Sequence, residues 1–341
     1  MGRKYIIDET GQWELETVMT PQQAKRYQAR QRTLTVWLKT TSAGPKRDLL
    51  QAFGKGAEKH DVKVNYCMED HTEVAPTDYD VVFAFKSDGI SSPTHNLREK
   101  ASGRNTSKQV FFFDSNVLKY YEKMTRYYRI PYRSIHPQHA DYMTPEPLTF
   151  KRKPQVLKDM GLELKPLRTE GNHILLCLNR GFGGFSSFGK GCYEWAKETV
   201  EELRKHTQRP IIIRSHNHAK ETLELQEDRK NLDWILENHK DITHTALGKT
   251  DLLDDMKNAW AVVCYTSTSA AVALIEGIPM FSTHEGCFAS NWSSGKLEDI
   301  ENPKEVNRLQ FLHYYINCHW TQEEVESGMF WNKFQKFYIK K

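Results

Sequence analysis

No run in the 341 residues approaches the roughly 20 consecutive apolar residues that span a bilayer, so a helical membrane protein is not expected. The opening stretch, MGRKYIIDETGQ, has no apolar core of the kind a secretory signal carries. Ile6 stands where a myristoylation site needs Ser or Thr, so neither export nor acylation is expected. The six cysteines, Cys67, Cys177, Cys192, Cys264, Cys287 and Cys318, form no CxxC pair. Cys67, Cys177 and Cys264 lie in or beside apolar stretches, where thiols are commonly buried; a zinc site is therefore not expected, and a reducing, cytoplasmic setting is. Net charge is only +4, which permits a nucleic-acid partner without arguing for one. Internal repeats and low-complexity tracts are also missing.

The chain does contain alternating strand and helix patterns, enough for two domains of roughly 150 residues each. A basic helical segment, PQQAKRYQARQ, is opened by Thr20 as cap and Pro21 at the first helical position. TLTVWLKTT, VKVNYCM, DYDVVFAF and KQVFFFD then read as strands. RDLLQAFGKGAEKH reads as a helix broken by Gly54 and Gly56, and NLREKA as a short helix. Residues 151–171 are charged, contain prolines and lack periodicity, as a linker does. Beyond them HILLCLNR, RPIIIRSH, ITHTA and AVVCY are strands, while CYEWAKETVEELRKH and LDWILENH are helices. Near the end Thr321 and Glu324 form a capping box before an aromatic-rich helix. The expected fold is α/β, with two Rossmann-like domains facing a central cleft, over 1–150 and 172–320, and a C-terminal helix over 321–341 packing back toward the first.

Five segments could carry chemistry. The first is the run Thr266, Ser267, Thr268 and Ser269 between the buried strand AVVCY and the helix AAVALIE. A helix start presents unpaired N–H groups and partial positive charge, which suit a diphosphate, whereas ordinary capping needs one hydroxyl rather than four. Gly277 and Pro279 close that helix. The second is the loop NRGFGGFSSFGKG, where Gly181, Gly183 and Gly184 allow close backbone approach and Arg180 and Lys190 add charge. Gly184 to Lys190 fits GxxxxGK of a P-loop, but poorly, because Gly191 stands where the magnesium-binding Ser or Thr belongs. A plain connection and another kind of phosphate loop stay open there. Third, the strand IIIRSHNH ends in Arg214, His216 and His218, with Arg214 and His216 on one face. Fourth, Asp88 and Asp114 follow strands and could each act as general base, although Asp after a strand is also a common turn residue. Fifth, KYYEKMTRYYRIPYR interleaves Lys119, Arg126, Arg129 and Arg133 with tyrosines such as Tyr128, a pattern that fits either nucleic-acid stacking or a helix packing its tyrosines inward.

On the Gly-rich loop, the Arg-x-His strand end and DLLDDMKNAWAVVCYTSTSAAVALIEGIPMF, the second half resembles the nucleotide-sugar domain of GT-B glycosyltransferases. Capsule-type transferases have similar elements. A closer resemblance is to bacteriophage glycosyltransferase-like proteins grouped with DNA-base-modifying enzymes, carried also by IENP and CHW. It covers 171–331 well and extends more loosely to Lys86, Asp114, Ser115 and Tyr128 to Pro131. The resemblance implies an acceptor-binding first domain and a nucleotide-sugar-binding second one. It further implies a UDP-sugar donor, transfer to hydroxymethylcytosine in double-stranded phage DNA, and a cytoplasmic monomer with no membrane partner; no metal is indicated. Carried over, Arg180, Arg214 and His216 would face the diphosphate and Thr266 to Ser269 would bind it at the helix start. Glu276 would be a ribose candidate, although many such enzymes place that Glu where Val272 stands here. Lys119, Arg126, Tyr128, Arg129 and Arg133 would face DNA. A transferase or epimerase of small sugars or polysaccharide is the alternative, as is a nucleic-acid-binding protein with a dead donor site.

Overall fold

The computed structural model describes residues 4–7, 13–16, 31–38, 45–68, 77–83, 109–118, 121, 126–134, 140–143, 158–179, 191–215, 223–245 and 250–338. In chain order the strands are β1 (Lys4–Ile7), β2 (Trp13–Glu16), β3 (Arg32–Leu38), β4 (Val62–Met68), β5 (Tyr79–Phe83), β6 (Val110–Ser115), β7 (Tyr127–Arg129), β8 (His173–Cys177), β9 (Ile211–Arg214), β10 (Ile242–Thr245), β11 (Ala259–Cys264), β12 (Met280–Ser282) and β13 (His319–Thr321). The helices are α1 (Pro45–Glu58), α2 (Cys192–Leu203), α3 (Leu223–Asn238), α4 (Leu252–Met256), α5 (Ser269–Ile275), α6 (Arg308–Cys318), α7 (Gln322–Glu326) and α8 (Met329–Tyr338). Among the described residues no helix is long and apolar enough to cross a membrane.

The chain divides into two compact units, one formed by Met1–Asn116, Lys123–Asp159 and His313–Lys341, the other by Val117–Glu122 and Met160–Leu312. Each is built on its own α/β sheet. In the first unit the order is β13-β7-β6-β5-β3-β4. Strands β3 to β6 are parallel, but β7 runs antiparallel to β6 and β13 antiparallel to β7. The four strands expected in this half, β3 to β6, are thus parallel to one another, with β7 and β13 added at one edge, each antiparallel to its neighbour. The CHW motif supplies part of β13, whose His319 pairs with Arg129. A separate antiparallel hairpin, β1 with β2, has no counterpart among the strands expected from the sequence.

Helix α1 is continuous, not broken at its glycines. A Cβ at Gly56 would lie 2.0 Å from the Val325 carbonyl oxygen, and one at Gly54 would lie 2.5 Å from the Tyr66 hydroxyl. Both glycines therefore serve close packing, at a cost in helix propensity that this packing offsets. Helix α8 then brings Trp331 and Phe334 onto Phe53, Tyr79 and Phe111, with ring centroids 4.9–5.8 Å apart. The capping box is present: Glu324 N–H donates to the Thr321 hydroxyl at 3.2 Å, and Thr321 N–H donates to the Glu324 carboxylate at 2.9 Å. Helix α3 begins at Leu223, earlier than LDWILENH indicates. The segments PQQAKRYQAR and NLREKA lie outside the described residues.

In the second unit all five strands are parallel, in the order β10-β9-β8-β11-β12. The chain starts at β8, steps outward through β9 to β10, then returns to lay β11 on the other side of β8. That reversal is the topological switch point of a doubly wound sheet. Strand β11 is buried at every residue, as a central parallel strand should be. Residues 161–170 are not a loose connection. Lys165 N–H donates to Ile275 O at 2.9 Å, and Arg168 N–H donates to Gly277 O at 2.7 Å. Gly277 adopts φ +75°, and a Cβ there would sit 2.0 Å from the Pro166 carbonyl. Only glycine lets this strap lie on the end of α5.

Candidate functional site

The switch point lies between the carboxyl ends of β8 and β11, where Cys177 and Cys264 are register partners. Just beyond them Asn179 and Thr266 bond twice. The Asn179 amide donates to the Thr266 hydroxyl at 2.5 Å, and Thr266 N–H donates back at 3.3 Å. The Ser267 hydroxyl accepts the Ser269 N–H at 3.3 Å and the Ser269 hydroxyl at 2.9 Å, so Ser267 caps α5. The four hydroxyls therefore have different roles. Thr266 ties two strand ends together, Ser267 and Ser269 build the cap, and the Thr268 hydroxyl makes no bond to the described residues. Under this turn the Cys264 and Cys287 thiols are in hydrogen-bond contact, which together with burial raises the Cys264 pKa. Burial pushes Cys177 up to about 11. All six cysteines are free thiols, and the Cys287 thiol also donates to Ser267 O at 4.0 Å.

Arg214, at the end of β9, is 5% exposed. Its Nε donates to Asp255 at 2.7 Å and its Nη2 to Thr250 O at 2.9 Å, while the Thr250 hydroxyl also donates to Asp255 at 2.7 Å. The guanidinium is thus engaged by α4 and the residues before it. Next to it, the Ser215 hydroxyl and His244 Nε2 are 2.7 Å apart, and Tyr193 bonds Ser215 as well. Burial lowers the His244 pKa, so the imidazole is held neutral. Asn179, Ser215, His244 and Asp255 are absent from the candidates that the sequence offers; polar residues at strand ends carry no pattern until the strand order is known.

Gly191 N-caps α2, and the space a side chain would fill there is taken by Asp228, 2.6 Å from an added Cβ. The Asp228 carboxylate accepts the N–H groups of Tyr193 at 2.6 Å and Glu194 at 2.9 Å. A P-loop needs this helix start open for phosphate. Here the protein's own carboxylate fills it, which overturns the P-loop alternative. The loop residues Arg180, Gly181, Gly183, Gly184 and Lys190, together with His216, His218, Asp88 and Lys119, lie outside the described residues.

Glu276 is not brought to the turn. It follows α5, whose seven residues span about 10 Å, and so sits at the opposite edge of the sheet. There its buried carboxylate accepts the Tyr121 hydroxyl at 2.7 Å and pairs with Lys165. In the first unit Asp114 and Arg129 are register partners on β6 and β7 and form a buried ion pair. Tyr127 and Tyr132 are buried, and Tyr128 is half-buried. The Arg126 guanidinium lies 5.3 Å from the Tyr127 ring centroid and that of Arg133 5.1 Å from the Tyr132 ring centroid. The described residues of the segment contribute a strand and core tyrosines, and the only exposed cation among them is Arg126.

No protein-family model and no curated protein matches the sequence. Among solved structures, the chain is similar to a Thermosulfurimonas dismutans KpsC beta Kdo 2,7 transferase, with TM-score 0.46 and 11% identity over 89% of this chain and 99% of that one. It is also similar to the beta Kdo 2,4 transferase of KpsC from the same organism, with TM-score 0.46 and 8% identity over 86% and 91%. A third similarity is to Methanocaldococcus jannaschii UDP-GlcNAc 2-epimerase in complex with UDP-GlcNAc and UDP, with TM-score 0.32 and 11% identity over 89% and 99%. Likeness at this level assigns neither substrate nor chemistry to the chain.

Proposed function

We propose that the protein is a nucleotide-sugar-dependent glycosyltransferase whose donor binds at the switch point of the second unit. The observation that carries this reading is the strand order β10-β9-β8-β11-β12, because ligands of doubly wound sheets bind beyond the carboxyl ends of the strands where the order reverses. In this reading the Thr268 hydroxyl, just before α5, faces the diphosphate of a UDP-sugar, while the N–H groups of Ser269, Ala270 and Ala271 are bonded within the turn. Arg180, Gly181, Gly183, Gly184 and His216, which follow β8 and β9 in sequence, are assigned to the same diphosphate. Arg214 acts indirectly, by holding Asp255 and the chain before α4. The acceptor oxygen forms a bond to the anomeric carbon, the bond from that carbon to the diphosphate breaks, and UDP leaves with the negative charge that the cationic loop and helix start stabilise. Asp88 takes the acceptor proton in this reading, since Asp114 is buried against Arg129.

The acceptor in this reading is 5-hydroxymethylcytosine in double-stranded DNA, and the protein works in the cytoplasm of a host cell. Support for DNA comes from the resemblance to the phage set. The inward packing of Tyr127 and Tyr132 instead favours a second reading, a small-sugar or polysaccharide acceptor at the same donor site, because it removes rings that would stack on a flipped base. One experiment separates them: incubate the protein with hydroxymethylcytosine-containing duplex and a panel of nucleotide sugars, digest to nucleosides and weigh them. A hexose or pentose increment is expected. Donor hydrolysis without an increment moves the acceptor to sugars, and neither signal for any donor sinks the transferase.

A further inference from the structure

At the amino edge of the second sheet, away from the turn at Thr266 to Ser269, a pocket of about 320 Å³, counting its space open to solvent, lies between Arg168 and Arg308. Leu167, Leu274, Ile278 and Val306 form its apolar walls. Each guanidinium is anchored on one side only. Arg168 Nη1 donates to Met256 O at 2.6 Å and Ala259 O at 2.9 Å. Arg308 Nη1 donates to Lys165 O at 2.8 Å and Leu274 O at 3.1 Å. Neither Nε nor Nη2 of either residue is bonded to the described residues, and both residues line one cavity.

Carboxylates near the pocket are mostly committed elsewhere. Glu276, which acts on Arg168, is held by Lys165 and Tyr121. Asp299 pairs with Lys304 at 3.1 Å. Glu305 acts on Arg308 through its charge without an ion pair among the described residues. Burial still lowers the pKa of both arginines, because the nearby acids do not fully compensate their desolvation. Backbone carbonyls explain one nitrogen of each guanidinium; they do not explain two half-buried cations lining a shared cavity with apolar walls. Forks of this geometry match the paired oxygens of phosphate or carboxylate.

We propose that the pocket between Arg168 and Arg308 is a binding site for a small oxyanion, separate from the donor site. The test is thermal unfolding of the full chain in sodium phosphate or sodium acetate, against sodium chloride at equal pH and ionic strength. Two variants are run alongside: Arg308→Met, which removes one fork, and Val306→Phe, which fills the pocket and keeps both cations should the first fail to fold. The expected result is a saturable rise of roughly 2–4 °C over chloride, absent in Val306→Phe and in folded Arg308→Met. A rise with phosphate alone assigns the site to phosphate groups, and a rise with acetate as well assigns it to oxyanions generally. No rise over chloride overturns the proposal. So does a rise that survives in the variants, since the anion then binds elsewhere, the turn at Thr268 included.

Discussion

The charged residues at the two strand ends show how one side-chain type serves opposite purposes. Arg214 ends β9 where a phosphate ligand would be expected, yet its guanidinium is spent on Asp255 and Thr250 O. Replacing it with Met should leave the largely buried Asp255 carboxylate with only the Thr250 hydroxyl among the partners named above and cost about 3–5 kcal/mol, as removal of one member of a buried pair does. Urea denaturation reads this directly. A loss below about 1 kcal/mol would mean the pair is solvated and Arg214 is available to a ligand, because exposed pairs are worth no more than that. Asp114 and Arg129 repeat the pattern on β6 and β7. Thr268 is the contrast, a hydroxyl at the switch point that makes no bond to the described residues.

At the scale of elements, α1 carries two glycines that look like interruptions and are contact points. Gly→Ala in an ordinary helix interior gains about 1 kcal/mol. At Gly56 the added methyl would meet the Val325 carbonyl at 2.0 Å. Gly56→Ala is therefore expected to lower stability, by roughly 1–3 kcal/mol as overpacking does. A raised urea midpoint would show that α1 and α7 are not packed this closely. The hydroxyl run at the start of α5 is legible in the sequence as a helix start, but its internal division of labour is not. Which hydroxyl caps and which ties strands depends on Asn179, 87 residues away in sequence from Thr266. The basic-aromatic segment reads as a helix or a nucleic-acid surface because short runs of Tyr and Arg have no decisive period; pairing with β6 and β13 makes its residues Tyr127–Arg129 a strand.

At the scale of the whole molecule, acid should weaken the fold through three half-buried histidines. Burial lowers the pKa of His173, His244 and His284, against about 6.5 in an unfolded chain. Below that value the unfolded state binds protons that the folded state refuses, so stability is full above it and falls as pH drops toward the folded values. Each such histidine contributes up to about 1.4 kcal/mol per pH unit inside that window. Urea midpoints at pH 7.5 and 5.5 should differ accordingly, and equal midpoints would show these rings to be solvated. From the sequence alone came the α/β class, strands β3 to β6 and β8 to β11 and the helix start after β11, because alternation, apolar runs and hydroxyl caps are local signals. Tertiary structure alone decided the strand order, which makes Asn179 and Thr266 neighbours, carries Glu276 to the far edge and fills the start of α2 with Asp228. Those outcomes rest on which strands lie side by side and which charges burial forces to pair, and neither is encoded in any short stretch of chain.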